Sequence, residues 1–466
     1  MKYSYLREHI PAFDGEKKLV SRAFRYIYVR TEHAGHVPGI RAELEYLPLT
    51  DVASFSGDSP RLPDIWRICS NAFHLNSREF FLDGIKRDRW VWSGDAYQSY
   101  QVSRYLYHDA DITRRTIRAL LGKLPIQQHT NTINDYSAYM FLGVWDYYYA
   151  TGDLKFVADI WEELCGLYDF IVTRLDPETG YVVKRGDDWI FIDWADIDKD
   201  GPLAAEQILL YRVYTTMAQL TKALTAGGYG AVIDAAHLSE NYSGKAATLK
   251  QRIMRDFWRE ERGGFIDTYA SGREHMTRHA NIFAILFDLV PEDTMRVITD
   301  RVLLNDAIDP ITTPYFKLYE LMALARMGHM DTVQDYIESY WGGMLDHGAT
   351  SAWEEFDPRK EGAEHYAMYG EPFGCSLCHA WGAGPILLLG KYCAGVRETA
   401  VGSAAFEVVP NPGRYSHFEA VVPMRDGAVS VRYADGHVTV MSDVSGGVLR
   451  YAGEEKMIPV GVEVSI

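Results

Sequence analysis

Between positions 83 and 95 the chain reads Asp83-Gly84-Ile85-Lys86-Arg87-Asp88-Arg89-Trp90-Val91-Trp92-Ser93-Gly94-Asp95, so three carboxylates, two arginines and two tryptophans share one short stretch. Carboxylates beside indole rings suit chemistry on a ring-shaped, hydroxylated molecule. Cleaving a glycosidic bond needs such a set: a protonated acid at the leaving oxygen, and a second carboxylate that activates water or attacks the sugar. If the backbone around Asp88 is extended, its side chain faces one way and those of Arg87 and Arg89 the other. Asp88 then faces a pocket, and the arginines form structural pairs with Asp83 or Asp95. The competing reading is a surface salt-bridge loop, with Asp95 in a first helical turn where the dipole favours an anion.

Three other segments carry the same residue types. In Gly348-Ala349-Thr350-Ser351-Ala352-Trp353-Glu354-Glu355-Phe356 the bulk of Trp353 can exclude water beside Glu354 and place a sugar; the alternative is a solvated Glu pair on a loop. Asp187-Asp188-Trp189-Ile190-Phe191-Ile192-Asp193-Trp194-Ala195-Asp196 alternates acidic and aromatic residues, but lacks the ligand spacing of a calcium loop. In Cys378-His379-Ala380-Trp381-Gly382, His379 either points into a pocket or is a satisfied structural histidine. No G-x-S-x-G elbow, phosphate loop or H-E-x-x-H motif is present.

The elements that must position these residues are mostly helical. Residues 134–150 are apolar almost all round, which marks a buried helix. Gly152 stops it, Asp153 caps the next, and Val157, Ile160, Trp161, Leu164, Leu167, Tyr168 and Ile171 then form the one-sided stripe of an outer helix. The same alternation predicts helices over 64–80, 96–121, 203–225, 243–258, 280–289, 315–327, 333–341 and 377–394. About six inner–outer hairpins in series close into an (α/α)6 toroid. A solenoid is the alternative, although no fixed-period repeat is visible. The fold class read from sequence is therefore mainly α, with small β elements at both ends. An N-terminal β segment spans 1–61, with period-two strands over 23–30 and 40–47. The helical barrel spans 62–398. A C-terminal β-sandwich spans 399–466, with Asp426-Gly427 and Asp435-Gly436 as hairpin turns and Val429, Val431 and Tyr433 opposite Val438 and Val440.

A formal net charge of -17 would repel a phosphate backbone and disfavours an anionic membrane surface. No stretch approaches the ~18 apolar residues of a membrane span. Residues 1–9 lack the apolar core of a signal peptide, which points to the cytoplasm for the chain as given, and to the periplasm or exterior if a longer precursor exists. Five cysteines imply no disulfide framework, and the lone pair Cys375 and Cys378 reads as two small buried thiols rather than a metal site. No metal or cofactor is expected.

Taken in order, these segments resemble the α-L-rhamnosidase family, inverting glycoside hydrolases with an (α/α)6 catalytic barrel between β-domains. The likeness runs from Phe55-Ser56-Gly57-Asp58 and Trp66, through the 83–95 block, Trp189 and Asp193-Trp194, to Thr350–Glu354 and His379-Ala380-Trp381-Gly382. The resemblance implies that Asp83, Asp88 and Asp95 line a sugar subsite with Asp88 as general acid. It implies Glu354 as the base that activates water, with Trp145, Trp189, Trp194 and His379 shaping the subsite. Arg87, Trp92, Asp193, Trp353 and Trp381 complete the candidate substrate-binding set. One departure stands out: typical members carry Glu where this chain has Asp88, a methylene shorter. The expected activity is an inverting exo-hydrolase of terminal α-L-rhamnosides or related sugars. A trehalase- or glucosidase-like hydrolase and a non-catalytic sugar-binding relative are the alternatives. The expected partner is a carbohydrate; oligomeric state is not readable.

Overall fold

The computed structural model describes residues 15–20, 22–24, 26–30, 39–186 and 188–466. Arg25, Asp187 and the run 1–9 lie outside the described residues. A short strand, β1 (Ser54–Gly57), leads into α1 (Leu62–Asn76), α2 (Ser93–Arg104), α3 (Ala110–Leu120), α4 (Asn134–Thr151), α5 (Leu154–Asp159) and α6 (Trp161–Thr173). After them come α7 (Ala204–Ala226), α8 (Ser239–Asp256), the two-residue strands β2 (Trp258–Arg259) and β3 (Gly264–Phe265), α9 (Arg278–Leu286) and α10 (Glu292–Ile298). The last turns of the barrel are α11 (Pro314–Arg326), α12 (Met330–Tyr336), α13 (Gly342–Asp346) and α14 (Gly384–Leu388). π-Helical segments prolong α10, join α12 to α13 and prolong α14.

Helices α2, α4, α7, α9, α11 and α14 touch in that order, and α14 returns to α2, so the inner ring closes. Each inner helix has ring neighbours on two sides and an outer helix behind it. That is why α4, α11 and α14 are apolar around most of their circumference and buried along most of their length. The outer layer, α1, α3, α5–α6, α8, α10 and α12–α13, buries one stripe only, as in α3 with Ile112, Thr113, Thr116 and Ile117. Gly152 ends α4 in the left-handed conformation at φ 72°, and Asp153 caps α5 by accepting from the Phe156 N–H at 3.0 Å, both as the sequence predicts.

The helix predicted over 96–121 is in fact two. The chain must reverse from the inner to the outer layer, and it does so at His108, whose φ is 55°. Asp109 then caps α3 through the Ile112 N–H at 2.9 Å. The strands predicted over 23–30 and 40–47 do not form among the described residues, which are irregular and largely exposed there. Without a partner strand, period-two patterning does not supply the ladder hydrogen bonds that make a strand. Among the described residues at this end only β1 pairs, and it does so with a strand of the C-terminal unit, Phe55 opposite Ala420.

That unit comprises β4 (Val396–Glu398), β5 (Phe406–Val408), β6 (His417–Met424), β7 (Gly427–Ala434), β8 (His437–Ser442), β9 (Gly447–Tyr451), β10 (Glu454–Ile458) and β11 (Val464–Ser465). One sheet has the order β1-β6-β7-β8-β11 and the other β10-β9-β5-β4. Asp435 and Gly436 both take positive φ in the β7–β8 turn, so that Val431 pairs with Val440 and Tyr433 with Val438. Among the described residues no helix is long and apolar enough to cross a membrane.

One buried ionic cluster ties the inner ring together. Glu320 of α11 accepts from Arg278 of α9 at 2.5 Å and from Lys317 at 2.6 Å, with all three side chains buried. Burial alone would raise the Glu320 carboxyl; Lys317 and Arg278 instead bring it below its ordinary value. Glu320→Gln leaves two buried cations without their anion and should cost about 3–5 kcal/mol of unfolding free energy. Equilibrium denaturation measures it; a loss under about 1 kcal/mol would mean that the cations find other partners.

Candidate active site

The N-terminal ends of the inner helices converge at one end of the barrel, and the candidate residues sit on them or on the loops that lead into them. The 83–92 loop precedes α2. It is closed by Asp83, whose N–H donates to the Trp90 carbonyl at 3.1 Å while its Oδ1 accepts from the Trp90 N–H at 2.9 Å. Within it Asp88 and Arg89 are left-handed, at φ 58° and 49°. The extended backbone predicted around Asp88 is therefore absent, because a loop pinned at both ends by Asp83 and Trp90 must turn. The predicted pairing of Arg87 with Asp83 or Asp95 is replaced as well. Nη2 of Arg87 reaches both oxygens of Glu354 at 2.6 Å, its Nη1 is bonded to the Gly374 carbonyl, and its Nε lies 3.8 Å from Asp88.

Glu354 lies in the loop between α13 and α14 and is buried, its side chain 2% exposed. Its backbone N–H donates to Ser376 at 2.8 Å, and its carbonyl accepts from the Trp381 indole at 3.0 Å. The carboxylate also accepts from the Tyr369 phenol at 2.8 Å and the Ser376 N–H at 2.9 Å. Asp88 is more open, its side chain 46% exposed. One planar guanidinium of fixed geometry touches both carboxylates, which places them within about 9 Å of each other.

Asp95 is in the first turn of α2, as predicted. It accepts from the Tyr136 phenol at 3.2 Å and lies 3.8 Å from His379. Burial pushes its carboxyl well above the ordinary range, with the nearby Asp83 adding to the rise. Burial drives His379 well below its usual value, so its imidazole is neutral. Oδ1 of Asp95 and Nδ1 of His379 are buried and make no hydrogen bond among the described residues. Trp381 stacks on His379 at 4.0 Å between centroids and packs tilted against Tyr315 at 5.0 Å.

Asp83 is buried beside this pair. Burial is the main cause that raises its carboxyl to about 7, against backbone N–H donors that lower it, while Asp88 and Glu354 add to the rise. The unfolded chain ionises this aspartate near its ordinary value, so the stability tied to its neutral form is intact below about pH 4 and drains as pH rises toward about 7. Asp83→Asn removes that titration. Its denaturation midpoint should fall less steeply across this window than that of the parent; parallel curves would contradict the assignment.

The 188–203 loop is fastened by α4. Asp135 accepts from the N–H groups of Phe191 and Ile192, each at 3.0 Å, and the Asn134 N–H donates to the Trp189 carbonyl at 2.9 Å. Trp189, Phe191 and Trp194 thus cluster, and the Trp194 ring meets Tyr369 edge-on at 5.0 Å. Asp193 is turned inward, where it accepts from Thr313 at 2.6 Å and bonds His279 at 3.0 Å. It joins the loop to α9 and α11 rather than facing the opening. Trp92 is half-buried, edge-on to Tyr136 at 6.2 Å.

Two candidate indoles offer no face to a sugar here: one lies away from this end, and the other, next to Glu354, is buried. Trp145 lies about 16 Å along α4 from Asn134 at 1.5 Å per residue, packed on Tyr148 and Tyr149. Trp353 is buried between Phe356 and Tyr366 with no open face. In each case an indole close in sequence to a site residue is claimed by the core. Sequence reading missed Tyr369, Tyr136, Tyr315, His279 and Thr313. Tyr136 and Tyr315 were legible only as residues of the helices predicted over 134–150 and 315–327, and Tyr369 carries no local signal beyond the Gly370 that follows it. Cys375 and Cys378 are free and buried, and no cluster able to hold a metal occurs among the described residues.

A closed ring of six helical hairpins, with carboxylates and aromatic rings gathered where the inner helices begin, is the architecture of a six-hairpin glycosidase. The family model of the bacterial alpha-L-rhamnosidase 6 hairpin glycosidase domain matches residues 50–392, well over half of the chain. The chain belongs to that family. Among solved structures it is similar to a rhamnosidase of Bacillus sp. GL1, with a TM-score of 0.74 and 21% identity over 87% of this chain and 43% of that one. It is also similar to a rhamnosidase from Klebsiella oxytoca with rhamnose bound, with a TM-score of 0.61 and 25% identity over 72% of this chain and 64% of that one. An α-L-rhamnosidase of Streptomyces avermitilis complexed with L-rhamnose matches at a TM-score of 0.67 and 16% identity, over 87% of this chain and 39% of that one. The chain thus spans between 39% and 64% of the length of these three relatives. No curated protein matches.

Proposed function

We propose that the chain is an inverting exo-glycoside hydrolase that removes terminal α-L-rhamnose, or a closely related sugar, from a glycoside or polysaccharide. The observation that carries this reading is the single guanidinium of Arg87 set against both Asp88 and Glu354. It holds a half-exposed acid and a buried carboxylate no more than about 9 Å apart, within the upper limit of the about 6.5–9.5 Å separation that inversion uses. In this mechanism protonated Asp88 gives its proton to the glycosidic oxygen. Glu354 takes a proton from the water that attacks the anomeric carbon from the other face. The C–O bond to the leaving group breaks as the bond to water forms, and solvent then exchanges the protons back. The unpartnered Asp95 Oδ1 and His379 Nδ1 are suited to sugar hydroxyls. Trp189 and Trp194 offer the apolar faces on which a deoxy-sugar stacks. The rhamnose in the relatives from Klebsiella oxytoca and Streptomyces avermitilis supports the choice of sugar.

A panel of chromogenic glycosides tests the reading, with the anomer released from the best substrate followed by NMR. Turnover of α-L-rhamnosides with an inverted first product is expected. Cleavage of α-glucosides alone would favour a trehalase- or glucosidase-like enzyme. The open, shortened acid at Asp88 favours one further reading, a sugar-binding relative without catalysis. Rhamnose binding by calorimetry with no turnover on any glycoside would establish that instead.

A further inference from the structure

Arg87, Tyr369 and the Ser376 N–H together make four contacts with the Glu354 carboxylate, two on each oxygen. A carboxylate offers about four lone-pair sites, so its acceptor capacity is filled. A general base needs one of those sites for the water whose proton it removes. Building on the reading of Glu354 as that base, we propose that Tyr369 is a gate. Its hydroxyl holds the place of the attacking water on Oε1, and the arriving sugar displaces it.

Of the donors on Glu354, Tyr369 is the one able to leave. The Ser376 N–H is backbone, in a segment tied to Glu354 through a second bond at 2.8 Å. Arg87 is charged and is anchored on the other side by the Gly374 carbonyl, so its departure would leave the buried Glu354 carboxylate without its counter-ion. Tyr369 is a neutral donor and is 49% exposed. It stands at the tip of a turn in which Met368 and Glu371 exchange both backbone hydrogen bonds. Its φ is 55° and that of Gly370 is 76°, so the tip is held in a conformation that a residue with a Cβ disfavours. Its ring sits between the Arg87 guanidinium, 4.3 Å from the centroid, and Trp194. Moving it outward therefore opens space beside both the base and the aromatic wall. Burial first, and then the Glu354 carboxylate, push its phenol well above the ordinary value, so it remains a donor at every working pH.

The test is Tyr369→Phe, which keeps the ring and removes the hydroxyl, with Tyr369→Met as a second donor-free variant. If the hydroxyl competes with water and sugar, its removal frees the competent state. KM for the best glycoside then falls about three- to tenfold, with kcat within about twofold. A lower kcat at unchanged KM would mean that the hydroxyl positions the base, and unchanged constants would mean that it does nothing; either overturns the gate. A second readout needs no turnover: carbodiimide-driven amine coupling to Glu354, followed by peptide mass spectrometry. Labelling should rise several-fold in both variants, and equal labelling overturns the gate. If the parent protein cleaves no glycoside, the hydrolase reading falls, and the labelling comparison still decides whether Tyr369 occludes Glu354.

Discussion

Glu354→Gln lowers kcat at least ~100-fold on the best glycoside, the loss expected when a positioned general base becomes an amide. The substitution keeps the volume of a side chain that is 2% exposed, so no cavity forms. Its local cost is electrostatic: Arg87 loses its anion but keeps the Gly374 carbonyl and its place against the Tyr369 ring. The amide also turns one acceptor atom into a donor amid Arg87, Tyr369 and the Ser376 N–H, so a modest fall in Tm is expected. KM should move by only a few-fold, because a base acts on water and contributes little to ground-state binding of the sugar. Thermal melts and steady-state kinetics on the same preparation separate the two effects. A folded variant with the full parental rate would remove Glu354 from the chemistry.

Asp88→Asn should cost at least ~100-fold in kcat as well, but with a different signature. The acid protonates the leaving oxygen, so the loss should be greatest for alkyl and sugar leaving groups and smallest for nitrophenol, which departs without help. Uniform loss across leaving groups would argue that Asp88 binds rather than protonates. Asp88→Glu gives the acid the length that the resemblance to the α-L-rhamnosidases implies for this position. A misplacement of about 1 Å can cost on the order of 100-fold, so a longer acid raises kcat if reach is limiting. The backbone sets a counter-effect. At φ 58° Asp88 is left-handed, a conformation that Asp, with its short polar side chain, adopts at less cost than Glu. The Glu variant should therefore lose stability even where it gains rate. A residue type that seems too short for its chemistry is suited to the turn that carries it.

The fold was legible where interactions are local or periodic. An inner helix such as α4 is apolar on all sides because all of its sides meet protein, and an outer one such as α3 is amphipathic because one side meets water. Gly152 and Asp153 punctuate the link from α4 to α5 through backbone chemistry within one turn of themselves. The Asp435-Gly436 hairpin was legible for the same reason. The strands expected over 23–30 and 40–47 fail for the opposite reason, since alternation is necessary for a strand but a partner makes it one. The helix expected over 96–121 hid a reversal at His108 that no periodicity marks.

Residue types, their order along the chain and the resemblance they carry pick out Asp83, Asp88, Asp95 and Glu354 as candidates. Tertiary structure decided what each of them touches. Arg87 meets Glu354, 267 positions further along the chain, where sequence reasoning had paired it with Asp83 or Asp95. Tyr369 reaches Glu354 from a turn whose residues, read alone, look like any surface loop. Trp145 and Trp353 went to the core, and Asp193 went inward to Thr313 and His279. The physical division is one of range. Helical periodicity, capping and turn chemistry act within a few residues, so they are written locally. The orientation of a side chain at a pocket depends on which distant groups desolvate it and satisfy its hydrogen bonds, and only the closed ring of helices brings those groups together.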